Sequence, residues 1–97
     1  MEDIFGPAVG APEYYIDSVR MALGLYTITL ELGNSQVQDT PSSEPPPIKR
    51  VAMVRMSPQH ALIFSRLLQK NVDIYQTQFG KINIPPDVFK SMDLDPE

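Results

Sequence analysis

His60 is the only histidine in the 97 residues, and the chain has no cysteine. A serine–histidine–acid arrangement can therefore use only His60, three residues after the hydroxyl of Ser57. A histidine-activated serine also needs a third group to orient the ring. Ser57 has a better use, since it stands directly before Pro58, the pattern of a helix N-cap followed by proline at the first helical position. Capping takes up the obvious nucleophile. Without cysteine there is no disulfide staple, thiolate metal site or cysteine nucleophile. The acids Glu2, Asp3, Asp39, Glu44, Asp87, Asp93, Asp95 and Glu97 sit mostly toward the ends and in a central loop, not where they could converge on His60. The five glycines occur one at a time, so no phosphate-cradling loop is present. These residues predict no enzyme, no metal and no cofactor.

A second chemistry is charge recognition. Lys49, Arg50 and Arg55 lie on one predicted strand, and Arg20 joins them if the first strand is a neighbour, giving a basic patch near Tyr14 and Tyr15. A β-ribbon followed by a helix is an architecture that reads DNA. Against this, the net charge is −4, which opposes a phosphate backbone. Charges on strand edges also discourage strand-to-strand aggregation, and this is the reading we prefer. A small nucleic-acid-binding regulatory protein is thus the alternative, with nucleic acid not expected as partner.

The third candidate is an apolar surface on the helix that Ser57 opens. Gly80 marks its end, so Pro58 to Phe79 forms a helix about 33 Å long. At 100° per residue Ile63, Leu67 and Ile74 fall on one flank, and Ala61, Phe64, Leu68, Val72, Tyr75 and Phe79 on the other. Together they span roughly 180°, where about 100° is enough for a helix packed on one core. The surplus predicts an interface at Ile63, Phe64, Leu67, Asn71, Ile74, Tyr75 and Gln78. Along the middle of the arc, His60, Asn71 and Gln78 lie within about 20° of one another. Such a polar line serves a ligand, fixes register across a symmetric interface, or is satisfied by nearby backbone and water; the last is the simplest account.

The elements that must position these residues are few. Residues Met1 to Pro12 carry Gly6, Pro7, Gly10 and Pro12, the composition of a tail. Tyr14 to Leu23 alternates with apolar residues on both parities, which leaves open a bulge near Asp17 and Ser18 or a strand partly covered on both faces. Gly24 offers a tight turn, and Leu25 to Leu32 resumes with Tyr26, Ile28, Leu30 and Leu32 on one face, so the pair reads as a hairpin. Residues 33–47 include Pro45-Pro46-Pro47 and are too polar to offset their ordering entropy, which predicts a flexible loop. Ile48 to Met56 is a third strand, with Arg50 and Arg55 on opposite parities. From Pro85 onward the chain is acidic and shows no stop or cap signal. No apolar run approaches the roughly 20 residues of a membrane span, and the acidic start lacks the form of a secretory signal. The expected setting is cytoplasmic.

The run "RVAMVRMSPQHALIFSRLLQKNVDIYQTQFGKI", with "EYYIDSVRMALGLYTITLELG" before it, resembles a family of small bacterial proteins catalogued as domain of unknown function 3467. The shared pattern is a strand ending in Arg55-Met56-Ser57-Pro58 with His60 and Ala61, then a helix ending in Tyr75, Phe79 and Gly80 with Ile82 after it. It covers Tyr14 to Ile82. Members often carry Lys where this chain has Leu62, so any shared role of that position does not transfer. The resemblance implies a bacterial source and the strand–helix architecture, and no catalytic role.

Together these readings predict an α+β chain: an antiparallel sheet of about three strands, a hairpin plus a third strand, packed against one long C-terminal helix. Residues 13–84 form the domain, with a flexible N-terminal tail at 1–12 and an acidic C-terminal tail at 85–97. At roughly 70 folded residues with no disulfide, a single core is marginal and association is a common remedy. The expected function is a non-catalytic homo-oligomeric interaction module of unknown pathway, whose partner is itself or another bacterial protein.

Overall fold

The computed structural model describes residues 5–7, 9–36 and 46–95. Three strands, β1 (Ser18–Leu23), β2 (Ile28–Ser35) and β3 (Ile48–Met56), precede a long helix α1 (Pro58–Phe79) and a short helix α2 (Pro86–Ser91). The strands form one antiparallel sheet in the order β1-β2-β3, so the fold is α+β. The chain divides into two compact units, Met1–Ala61 and Leu62–Glu97. Among the described residues no helix is long and apolar enough to cross a membrane.

In the first unit, β1 and β2 pair from Ser18 opposite Gly33 to Leu23 opposite Ile28. The turn is closed by the Gly24 N–H donating to the Thr27 carbonyl at 2.8 Å. Gly24 does not use a left-handed backbone there; it provides room, since a Cβ at that position would lie 3.3 Å from the Thr27 oxygen. β1 starts later than its alternation suggests, which removes the ambiguity at Tyr14 and Ile16. Asp17 marks the start: its carboxylate accepts from the Ser35 N–H at 2.9 Å and from the Ser18 hydroxyl at 3.1 Å. The Ser35 bond is the main cause that holds the Asp17 carboxyl below its usual range.

β2 also departs from expectation at both ends. It starts at Ile28, not Leu25, and runs through Gly33, Asn34 and Ser35, which composition had assigned to the loop. Pairing outweighs the poor strand propensity of these three residues: they sit opposite Arg50, Lys49 and Ile48. The Gln36 N–H donates to the Pro47 carbonyl at 2.8 Å and closes this end of the ladder. The remainder of the expected proline loop, 37–45, lies outside the described residues, as do 1–4 and 8 of the N-terminal tail and 96–97 of the C-terminal one.

In α1 the boundaries fall as the cap and stop residues predict. The His60 N–H donates to Ser57 Oγ at 3.1 Å, and Gly80 closes the helix with φ +103°, its N–H donating to the Gln76 carbonyl at 3.0 Å. The acidic end holds an unforeseen element, α2. Pro86 opens it, and Asp93 ends it in the left-handed region at φ 57°, where the Asp93 N–H bonds to Lys90 and the Leu94 N–H to Phe89. Glycine usually fills such a stop, but aspartate tolerates the same backbone, so the signal was present in a less common residue.

Candidate functional site

The ladder sorts the sheet into two faces, because residues directly opposite each other project to the same side. On one face lie three rungs: Val19–Leu32–Ala52, Met21–Leu30–Val54 and Leu23–Ile28–Met56. Every member is apolar. The other face carries Ser18–Gly33–Arg50, Arg20–Glu31–Met53 and Ala22–Thr29–Arg55. Strict alternation would separate Arg50 from Arg55, as the sequence reading expected. A register shift at Leu32/Gly33 sets Leu32 opposite Ala52 and Gly33 opposite Arg50, so one residue of β3, Val51, is extra, and both arginines come to the same face. Gly33 is required at the shift, since a Cβ there would lie 2.6 Å from Ile48 Cγ2 and 3.2 Å from the Lys49 oxygen.

On the polar face Glu31 is held from both sides. Arg20 Nε donates to Glu31 Oε2 at 2.5 Å, and Arg50 Nη2 lies 2.7 Å from Glu31 Oε1. The hydrogen bond from Arg20 does most to hold the Glu31 carboxyl below its usual range, and the charges of both arginines add to it. The same bond raises Arg20 further. Beside this trio a notch of ≈260 Å³ is lined by Ser18, Gly33 and Ile48. Of the four candidate basic residues, Arg20, Arg50 and Arg55 thus share a face, while Lys49 pairs with Asn34 on the apolar side. Glu31, which engages two of the three, was not picked out from sequence. Its position opposite Arg20 depends on the hairpin register, which Gly24 alone does not fix.

Exposure varies across the apolar face. Val19, Met21 and Leu23 on β1 are 56%, 61% and 81% exposed, whereas Val54 on β3 is 39% exposed and the β2 residues are half-buried. Leu25 and Tyr26, in the turn after β1, are more than three-quarters exposed. Among the described residues no hydrophobic side chain is buried; the one buried residue is Gly33.

The second unit has its own apolar surface. Ile63, Phe64, Leu67, Ile74 and Tyr75 are all exposed along α1, with the Tyr75 and Phe79 rings 5.0 Å apart between centroids. The chain beyond Gly80 lies along a different strip of the helix. The Ile82 N–H donates to Gln76 Oε1 at 3.0 Å, and a groove lined by Gln69, Val72, Asp73 and Gln76 faces Ile84 and Phe89. That strip is centred about 160° around the helix from the His60–Gln78 line. The predicted interface residues therefore gather on one arc, away from the segment beyond Gly80. Asn71 in its middle donates its amide to the Leu67 carbonyl at 2.8 Å, so one of its two amide hydrogens is used within its own helix; Gln78, two turns further along, is exposed. His60 is exposed in the first turn.

No family model, curated protein or solved structure matches this chain.

Proposed function

We propose that this chain is a non-catalytic protein–protein interaction module that assembles with copies of itself. The observation that carries the reading is the three-rung apolar face, in a chain whose described residues include no buried hydrophobic side chain. Water contact over such a face costs on the order of 25 cal/mol per Å², and large exposed apolar patches mark association surfaces. The apolar arc on α1 adds a second surface of the same kind. A bacterial source belongs to this proposal through the family resemblance, and a cytoplasmic setting through the acidic start and the lack of a long apolar run.

The gathering of Arg20, Arg50 and Arg55 on one face favours nucleic acid as a second reading. Glu31 weakens it by engaging two of the three guanidinium groups.

Absolute mass by light scattering after size exclusion, over a range of concentration and salt, tests the first reading. A multiple of 10.9 kDa that persists at high salt is expected; a monomer throughout would refute self-assembly. Ile74→Glu is expected to lower the mass if the α1 arc contributes, and an unchanged oligomer removes that flank from the interface. Nucleic-acid binding that weakens steeply with salt would favour the second reading.

A further inference from the structure

We infer that β1 is the strand through which two copies join, pairing antiparallel with β1 of a second copy about a two-fold axis at Met21, so that two three-stranded sheets become one sheet of six. This inference rests on the self-assembly reading and specifies its contact.

The two edges of the sheet differ. An edge strand presents unpaired backbone N–H and C=O groups, and proteins that must not pair there place charges or bulges on it. β3 has both, with Lys49, Arg50 and Arg55 and the extra residue at Val51. β1 has the sequence Ser-Val-Arg-Met-Ala-Leu, contains no proline, and shows no register shift against β2. Its single charge, Arg20, is drawn toward Glu31 on the neighbouring strand. Apolar exposure on the apolar face is also greatest on this edge strand, at Val19, Met21 and Leu23.

The strand is complementary to itself when the axis lies at Met21. Opposite residues in an antiparallel pair share a face, so a two-fold axis must pass through a residue or its equivalent. Centred on Met21, the pairing sets Met21 against Met21, Val19 against Leu23 and Arg20 against Ala22. The apolar row of β1 then meets an apolar row, and the three rungs of each copy continue into those of the other. Centred on Arg20, the pairing would place two guanidinium groups directly opposite, which is unfavourable. A joined sheet also removes both exposed β1 edges and covers the most exposed residues of the face along their outer side.

The absence of cysteine makes the test clean, because a single introduced thiol can cross-link only to its own copy. Full-length Met21→Cys, Arg20→Cys, Val19→Cys and Leu67→Cys are each oxidised under mild conditions, and dimer formation is read on a non-reducing gel beside solution mass. Across the axis, paired Cα atoms lie about 4.5–5.5 Å apart, within disulfide reach. Two Val19 positions lie about 13 Å apart along the strands, outside that reach. Met21→Cys should therefore convert most of the chain to disulfide dimer, with Val19→Cys remaining largely monomeric on the gel. Cross-linking at Arg20 in preference to Met21 overturns the register. An oligomeric mass with cross-linking only at Leu67, or at none of the four, overturns the pairing of β1 about Met21 and leaves self-assembly standing. A monomeric mass in every variant and in the parent overturns both.

Discussion

The two faces of the sheet contrast in how their side chains are satisfied. On the polar face Glu31 meets Arg20 and Arg50, and Thr29 lies between Ala22 and Arg55, so the chain completes this surface by itself. The opposite face carries nine apolar residues in register beside the Asn34–Lys49 pair, and β1 bears the largest apolar exposure. One ladder positions both. The difference shows that neighbouring strands satisfy the polar face from within the sheet, while the apolar face has no such pairing among its own strands.

Placing a carboxylate on each face in turn should expose that difference most strongly. Leu30→Asp puts a charge in the central rung between Met21 and Val54, and is expected to cost about 2–5 kcal/mol or abolish assembly, read by urea unfolding and solution mass. Thr29→Asp, one residue away on the polar face and opposite Arg55, should stay within about 0.5 kcal/mol of the parent. Similar losses at both positions would mean that the faces are not energetically distinct.

Gly33→Ala tests the register shift that brings Arg50 to the polar side. Its Cβ would lie well inside contact distance of Ile48 Cγ2, at 2.6 Å, and overpacking of this kind costs about 1–3 kcal/mol. A neutral effect would mean that β3 slides to accommodate the methyl group.

The smallest effect is expected at Glu31. Its folded-state carboxyl is held below the ordinary 4.5, first by the Arg20 hydrogen bond. The stabilisation it gives is therefore fully present above the unfolded-state value and is lost as pH falls through the lower, folded-state value. Glu31→Gln should flatten that part of the stability profile below about pH 4.5 and change little at neutral pH, as urea midpoints against pH would show. A parallel curve for the variant would mean that the ion trio contributes nothing.

Much of the fold was legible because its signals are local. Ser57, Pro58 and Gly80 fix α1 through bonds within four residues, and Ile28, Leu30 and Leu32 alternate without interruption. What could not be read depends on distant partners. Gly33 belongs to a strand only because Arg50 and Lys49 lie beside it, and the common face of Arg50 and Arg55 arises from one extra residue across the ladder. α2 was missed for a different reason: Asp93 does the work usually given to glycine. Of the candidate site, the arc on α1 was visible as an excess of apolar residues. The alternation of Val19, Met21 and Leu23 was equally visible, but its importance depends on β1 being an edge, which is a property of strand order.

The order β1-β2-β3 also bears on how fast the chain acquires structure. Each strand pairs with its neighbour in sequence, across four residues in the first connection and twelve in the second, and α1 needs only contacts along itself. Low sequence separation of contacts favours rapid first-order folding, with little entropy spent on closing long loops. Under the proposed self-assembly, the slow step is then the encounter of two ready surfaces, a second-order event whose half-time shortens as the chain becomes more abundant.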